Sequence, residues 1–157
     1  MANPKLYLET SVVSYLTAQG SRDLVLVAHQ EVTRVWWASR ENFDVYASQF
    51  VLDEASAGDS EAAGRRLEAL RGMPLLAISD EVIGLAARLL SQQGMPAKAR
   101  LDALHVATAA VHGMDYLLSW NCKHIVNAML RTRIESTCRT AGFEPPVICT
   151  PLELVEE

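Results

Sequence analysis

The sequence predicts an α/β domain in which a mainly parallel sheet is flanked by helices. Short runs rich in aliphatic, aromatic and β-branched residues alternate with longer segments that carry apolar residues at helical spacing. Strands that alternate with helices favour right-handed crossovers, which make neighbouring strands parallel. The chain has 157 residues, of which 50% are hydrophobic, so a single globular domain over residues 1–157 is expected.

The first half of the chain predicts two strands and four helices. Gly58 and Gly72 are typical helix C-terminal residues, and Asp59 is a good N-cap for the helix between them. In chain order the segments are a strand at 5–9, helices at 11–18 and 24–41, a strand at 43–49, and helices at 51–58 and 59–72.

The second half predicts three strands and three helices, and closes with a short turn. Ser79 caps a helix, Gly113 ends another, and Asn121 can cap a third. Thr150 followed by Pro151 opens the terminal turn. The segments are a strand at 73–79, a helix from 80 to about 92, a loop at 93–100, a helix at 101–113, a strand at 115–120, a helix from about 122 to 141, and a strand at 145–150.

Charge and cysteine usage exclude several classes of protein. The net charge of −5 argues against a broad basic surface that grips nucleic acid nonspecifically. The three cysteines show no CxxC spacing, which argues against a disulfide framework or a zinc knuckle. Glu9 interrupts the only early apolar run, and no apolar run approaches the roughly 20 residues of a membrane span. A soluble cytoplasmic protein is expected.

Polar side chains follow the predicted strands at the edge where parallel sheets bind ligands, their carboxyl ends. Glu9 ends the first strand, and Asp53 and Glu54 come soon after the second. Asn121 follows the strand "YLLSW", and Asp102 opens the helix that precedes that strand. We therefore expect these side chains to gather at one edge of the sheet.

Each of these residues also has a purely structural explanation. Glu9 can be a solvated strand end, and Asn121 a helix N-cap. Asp53, Glu54 and Asp102 can be first-turn acids that complement a helix dipole, worth about 0.3–1 kcal/mol each. Taken together these explanations weaken, because two carboxylates about 4 Å apart repel by roughly 4 kcal/mol at an effective dielectric constant of 20.

A bound cation would offset that repulsion and would allow the acidic cluster to catalyse a reaction. Mg²⁺ and Mn²⁺ fit, because hard cations prefer oxygen ligands. A metal of this kind lowers the pKa of a bound water and polarises a phosphate. The predicted chemistry is hydrolysis of a phosphodiester.

Two histidines lie near the predicted site. His105 follows Asp102 by three residues and His124 follows Asn121 by three, which places each pair on one helical face. Imidazole ligands for a metal are conceivable. A packed or hydrogen-bonded role is favoured for His105, and a phosphate contact is a reasonable role for His124.

Hydroxyl and basic side chains near the acids have two interpretations each. Thr10 and Ser11 either position a carboxylate or substrate phosphate, or cap the first helix. Lys98, Arg100 and Lys123 flank the predicted acids and form either a local basic rim for RNA phosphates or ordinary solvated charges.

Three blocks of the sequence, "YLETSVVSYL", "SQFVLDEASAGD" and "LDALHVATAAVHGMDYLLSWNCKHI", resemble the PIN-domain family, in particular VapC-type toxins of bacterial toxin–antitoxin pairs. The resemblance extends over essentially the whole chain, including the closing "TPLELV". It implies a three-layer α/β nuclease that holds Mg²⁺ or Mn²⁺ with three or four acids and cleaves RNA. It also implies a small antitoxin protein as partner and a homodimer.

The resemblance assigns the same four positions a role in metal binding and catalysis. The first family acid, usually Asp in a D-T-S pattern, matches Glu9, and the second matches Glu54 with Asp53 as its rival. The third matches Asp102 in "DALH", and the fourth, usually Asp, falls on Asn121 in "SWN". Glu in place of Asp adds a methylene, whereas Asn in place of Asp keeps an oxygen but loses a charge.

A metal-dependent endoribonuclease toxin is therefore the predicted function. The first alternative is a non-catalytic member of the fold that serves as a binding or dimerisation module, which Asn121 favours. The second is a phosphohydrolase that acts on small molecules.

Overall fold

The protein contains one five-stranded sheet in which every strand pair is parallel. The computed structural model describes residues 2–92 and 95–156. The sheet order is β3-β2-β1-β4-β5, and the pairing is parallel at each step. The strands are β1 (Lys5–Leu8), β2 (Asp44–Ser48), β3 (Leu75–Leu76), β4 (Tyr116–Leu118) and β5 (Val147–Cys149).

Helices connect all of these strands. α1 packs against α2, α3 and α4, whereas α5 packs against α6 and α7, so two helical groups surround the sheet. The predicted α/β class with a flanked parallel sheet is confirmed, and the architecture is consistent with a three-layer PIN-like fold. Within the described residues the helices are α1 (Thr10–Thr17), α2 (Leu24–Ala38), α3 (Gln49–Ala55), α4 (Ser60–Leu70), α5 (Asp80–Ser91), α6 (Arg100–Val111) and α7 (Ala128–Thr140), with 3₁₀ turns at Arg40–Asn42, Ala97–Ala99 and Pro151–Leu154.

The core lies around β1 and α6. Leu6, Tyr7 and Leu8 of β1 are fully buried, as expected for a central parallel strand that is covered on both faces. α6 is buried without interruption from Ala103 to Ala110. A helix that is buried all round belongs to the core of the protein, so α6 places its polar side chains in the interior.

The strand order reverses between β1 and β4. β1 connects to β2 on one side, and β4 pairs with β1 on the other, with Leu8 opposite Leu118. The backbone N–H of Glu9 continues this pairing and donates to the carbonyl of Leu118 at 3.1 Å. The residues that follow the two strands therefore emerge side by side, at the switch point where open parallel sheets bind ligands.

The predicted helix from about 122 to 141 is wrong at its N-terminal end. α7 begins at Ala128, and its N-cap is Asn127, whose side chain accepts from the N–H of Met129. Asn121 instead closes a turn, because its side-chain oxygen accepts from the N–H groups of Lys123 and His124. Two asparagines six residues apart compete as helix caps, and the second one starts the helix.

Other element boundaries differ from the predictions by smaller amounts. The strand predicted at 73–79 shortens to Leu75–Leu76, and α3 begins at Gln49 instead of residue 51. Part of the loop predicted at 93–100 forms the 3₁₀ turn at Ala97–Ala99, whereas Gln93 and Gly94 lie outside the described residues.

The three cysteines are unpaired. Cys122 is exposed, and Cys138 and Cys149 are buried. Burial raises the pKa of Cys138 to about 11 and that of Cys149 to about 12, so both remain thiols at neutral pH. Among the described residues, no helix has both the length and the apolar character that crossing a membrane requires.

Candidate active site

Glu9 is a buried carboxylate, and the interpretation of this residue as a solvated strand end is wrong. Its exposed fraction is 4%. It is also the N-cap of α1, since its carboxylate accepts from the N–H of Ser11 at 3.1 Å, so neither Thr10 nor Ser11 caps that helix. The hydroxyls of Ser119, at 2.6 Å, and of Ser11 also donate to the carboxylate. These donors and the positive end of α1 stabilise the buried charge.

Glu54, and not Asp53, lies next to Glu9. Asp53 points outward and accepts from the side chain of Gln49 on the exposed face of α3. Both acids belong to the last turn of α3, where the helix dipole disfavours a carboxylate, so the first-turn explanation is wrong for them. Glu54 instead accepts at Oε1 from the hydroxyl of Thr10 at 2.8 Å.

Glu9, Glu54 and His105 form a compact group of potential ligands. One ligand atom from each of these side chains lies within 4.8 Å of the others, a spacing at which a metal ion can be held. Among the described His, Cys, Asp and Glu residues, no other group of three meets this criterion, and Asp102 is not part of it. The structure therefore brings two of the predicted acids together directly.

His105 is buried and hydrogen-bonded, as the sequence favoured. It is fully buried, and its Nε2 lies 2.5 Å from Oε1 of Glu54. Burial raises the pKa of the Glu54 carboxyl, but hydrogen bonds and charge from His105, with the hydroxyl of Thr10, hold it below its usual value. Glu54 is thus a charged acceptor, which places a proton on Nε2 of the imidazole.

A chain of hydrogen bonds continues from His105 into the core. Nδ1 of His105 lies 2.6 Å from the hydroxyl of Tyr7, which lies 2.7 Å from the hydroxyl of Ser48. Burial keeps the Tyr7 phenol protonated by raising its pKa. In the neutral imidazole, Nδ1 accepts from Tyr7, so residues of β1, β2 and α6 together fix the orientation of Glu54.

The substitution Tyr7→Phe is expected to destabilise the protein by about 1–3 kcal/mol. It removes one hydroxyl and leaves the buried Nδ1 of His105 without a partner. Urea denaturation measures the change in the free energy of unfolding. Tyr46→Phe is the matched control, because Tyr46 lies in the neighbouring strand and its hydroxyl makes no hydrogen bond within the described residues. Equal effects of the two substitutions would contradict a structural role for the Tyr7 hydroxyl.

Asp102 and Asn121 form the second half of the site. Nδ2 of Asn121 donates to Oδ1 of Asp102 at 3.0 Å, and Nδ1 of His124 lies 3.0 Å from Oδ2 of Asp102. Asp102 lies in the first turn of α6, as predicted, and its side chain is 18% exposed. The amide oxygen of Asn121 already accepts two backbone N–H groups, so Asn121 orients Asp102 in this arrangement.

Ser119 joins the two halves. Its hydroxyl accepts from the backbone N–H of Asn121 at 2.9 Å and donates to Glu9. Glu9, Asp102 and Asn121 therefore belong to one hydrogen-bonded network at the carboxyl edge of the sheet, and Glu54 lies beside it, within 4.8 Å of Glu9.

Tyr7, Ser48 and Ser119 are residues of the site that the sequence did not predict. Tyr7 interrupts the aliphatic run of β1, and His105 stands alone in the apolar, alanine-rich middle of α6. A buried polar side chain requires a hydrogen-bond partner, so each is a signal for the other. Ser48 and Ser119 directly end or follow a strand at the edge where ligands bind.

Among the described residues, no lysine or arginine lies within ion-pair distance of the acids of the site. In the described part of the chain, the ion pairs of Glu54 and Asp102 are with histidines only, and Glu9 has none. Within ion-pair distance, the partners of these carboxylates in the ranges that the structure describes are therefore the two histidines.

Comparison with protein-family models finds no match to this chain, and comparison with curated proteins finds none either.

Proposed function

We propose that the protein is a Mg²⁺- or Mn²⁺-dependent endoribonuclease. The observation that supports this most strongly is the pair of carboxylates at the switch point of the sheet. Glu9 and Glu54 approach within 4.8 Å without a lysine or arginine partner among the described residues. Two carboxylates about 4 Å apart repel by roughly 4 kcal/mol at an effective dielectric constant of 20. A divalent cation between them would replace this repulsion by attraction to each carboxylate.

Glu9 and Glu54 are the residues that would hold the cation. Carboxylate oxygens are the ligands that Mg²⁺ and Mn²⁺ prefer. When bound, such a cation lowers the pKa of a water molecule and polarises a phosphodiester. His105 holds one oxygen of Glu54, which leaves the other oxygen free to face the cation.

Asp102 contributes the third negative charge at the edge. Asn121 and His124 each hold one of its oxygens, so its orientation is fixed before substrate arrives. We assign Asp102 to outer coordination or to orientation of water, because it lies outside the compact ligand group. Asn121 positions Asp102, and Ser119 couples this half of the site to Glu9.

Added Mn²⁺ is expected to raise the thermal stability of the protein. A ligand that binds only the folded state at 100 times its dissociation constant stabilises by about 2.7 kcal/mol. For about 150 residues this corresponds to a rise in Tm of roughly 5–10 °C. Melting curves with chelator and with excess Mn²⁺ measure the shift. Identical melting temperatures, with no heat of binding in calorimetry, would remove the metal from the proposal.

RNA cleavage tests the proposed reaction directly. The purified protein is incubated with a labelled single-stranded RNA in Mg²⁺, in Mn²⁺ and in chelator. Cleavage at internal positions with either metal, and none in chelator, supports the proposal. Intact RNA under all conditions, from a protein that calorimetry shows to bind Mn²⁺, would reject the ribonuclease. Hydrolysis of a phosphate monoester without RNA cleavage would identify a small-molecule phosphohydrolase instead.

A non-catalytic binding module is the second candidate function. It is favoured by the hydrogen bonding of the site, since Glu9 has three donors and the oxygen of Asn121 has two. Because these oxygens already accept hydrogen bonds from the protein, the site can hold its carboxylates without a metal. The melting and calorimetric measurements separate the two candidates, because a binding module does not require Mn²⁺.

The role as a cytoplasmic toxin with a small antitoxin follows from the resemblance to VapC-type proteins. Expression of the chain alone is then expected to slow growth, and a small protein encoded beside it to relieve the effect and to co-purify. A homodimer is also proposed. The exposed fractions of Leu24 and Val25, at the start of α2, are 82% and 62%, so these two residues offer apolar surface for it. Sedimentation analysis measures the association of two chains.

A further inference from the structure

A recess in the surface adjoins the acidic network. Its volume is about 540 Å³, within the range of small-molecule sites. The walls come from α5, from the chain that leads into α6, from the turn before α7 and from α7 itself. We refer to this recess as the α5–α7 cavity.

The lining of the α5–α7 cavity is divided between apolar and cationic groups. Leu90 and Leu130, which are partly exposed, contribute an apolar wall that the buried Met95 backs, and Lys123 and Arg133 contribute two positive charges. Leu130 and Arg133 are three residues apart on α7, so they share one face of that helix. In the described part of the chain, neither cation forms an ion pair with a carboxylate.

His124 connects the α5–α7 cavity to the acidic network. It lines the cavity and lies 3.0 Å from Asp102 through its Nδ1. Lys123 precedes it in the turn that the side chain of Asn121 holds. Lys123 therefore stands one residue away from His124, the partner of Asp102.

We propose that the α5–α7 cavity binds one nucleotide of the RNA strand, with the base on the wall of Leu90, Met95 and Leu130 and its phosphate between Lys123 and Arg133. The proposal rests on the proposed function, because it places the neighbouring phosphodiester of the same strand at the carboxylates. Apolar side chains accept the face of a base without selecting its sequence, and two cations fix a phosphate.

The charges of the α5–α7 cavity and of the acidic edge favour a nucleotide phosphate in the cavity. A phosphate is repelled by Glu9, Glu54 and Asp102 and attracted by Lys123 and Arg133. In a chain of net charge −5, a cationic cavity beside the acidic edge gives an RNA strand a local point of attachment. The same cations disfavour a basic peptide as the occupant.

Nucleotide binding is measured first without any metal. The protein is labelled with ¹³C in its leucine and methionine methyl groups and titrated in chelator with uridine 5′-monophosphate and with adenosine 5′-monophosphate. The methyl signals of Leu90, Met95 and Leu130 are expected to shift, because a stacked base changes their magnetic environment. Ribose 5-phosphate is the matched ligand without a base, and it should leave these signals in place.

Substitution of the two cations gives an independent test on RNA itself. Fluorescence anisotropy in chelator measures the affinity of a labelled single-stranded RNA for Lys123→Ala and Arg133→Ala. We expect each variant to bind about tenfold more weakly, and the slope of log affinity against log salt to fall by about 0.7. Arg131→Ala is the control, because Arg131 carries the same charge on the same helix and lines a separate cleft.

The outcomes separate this proposal from the ribonuclease itself. Methyl shifts with nucleotide and selective weakening by Lys123→Ala and Arg133→Ala support the cavity as a nucleotide site, even if no RNA is cleaved. RNA cleavage by a protein whose α5–α7 cavity shows no methyl shifts would overturn the site and leave the ribonuclease intact. Equal shifts with ribose 5-phosphate, equal weakening by Arg131→Ala, or binding of an acidic peptide in place of RNA would also overturn it.

Discussion

Glu54→Gln is expected to reduce metal-dependent RNA cleavage by about a hundredfold or more while the protein stays folded. The amide keeps an oxygen that can accept from His105 and Thr10, so the local hydrogen bonds can persist. What is lost is one of the two negative charges that face each other within 4.8 Å. Removing a group that stabilises charge at a reacting centre costs about 10²–10³ in rate.

The effect of Glu54→Gln on stability should depend on metal. Without metal the variant loses the charge that His105 and Thr10 stabilise. This loss outweighs the relief of repulsion with Glu9, because the pKa of Glu54 is held below its usual value, so the free energy of unfolding should fall modestly. With excess Mn²⁺ the variant should gain less stability than the wild type, because it binds the cation more weakly. Single-turnover cleavage of a labelled RNA and paired melting curves measure both changes.

Asp53→Asn is the matched control for this prediction. It removes the same charge from the adjacent residue, which lies on the exposed face of α3 and whose carboxylate accepts a hydrogen bond only from Gln49 among the described residues. We expect wild-type cleavage and wild-type response to Mn²⁺. If Asp53→Asn loses activity and Glu54→Gln keeps it, the second acid of the site is Asp53, and the carboxylate pair is not the catalytic feature.

The location of the site could be predicted from the sequence because it follows from topology. Parallel strands end at one edge, so the residues after β1 and β4 must meet there whatever their side chains are. Glu9 and Asn121 emerge from adjacent strands, and the N–H of Glu9 pairs with the last residue of β4. Resemblance to a family was not needed for this part of the prediction.

The choice between Asp53 and Glu54 depended on the phase of one helix. Val51 and Ala55 are the buried residues of α3. Glu54 lies three residues after Val51 and so shares its face, whereas Asp53 lies four residues after Gln49 on the exposed face. An apolar pattern of only seven residues is short, and the sequence did not decide which acid turned inward.

The partners inside the network could not be read from the sequence, because they come from distant elements. His105 lies 51 residues from Glu54 and 98 from Tyr7 in the chain. No local spacing predicts such contacts, since they require the complete sheet and the packing of α6 against it. The start of α7 was mispredicted for another reason. Asn121 and Asn127 are both good helix N-caps, but the side chain of Asn121 is hydrogen-bonded to Asp102, and Asn127 caps the helix.

Asn121→Asp is expected to destabilise the metal-free protein and to strengthen its binding of Mn²⁺. Nδ2 of Asn121 donates to Oδ1 of Asp102 at 3.0 Å, so the substitution puts an oxygen in place of a donor and two acceptors face each other. A carboxylate pair at about 4 Å repels by roughly 4 kcal/mol at an effective dielectric constant of 20, and sharing a proton would lessen that cost. A cation would convert the repulsion into affinity.

The melting temperature of Asn121→Asp should therefore fall by several degrees in chelator, and the rise on adding Mn²⁺ should exceed that of the wild type. Asn42→Asp is the matched control. It makes the same change of charge at an exposed residue of the 3₁₀ turn Arg40–Asn42, whose side chain forms no hydrogen bond within the described residues. Its melting temperature should move little, and its response to Mn²⁺ should not change.

Calorimetry should show tighter Mn²⁺ binding for Asn121→Asp alone. If both variants behave alike in chelator and in Mn²⁺, Asn121 acts only as a turn-capping residue, and Glu9 and Glu54 remain as the acids that would hold a cation.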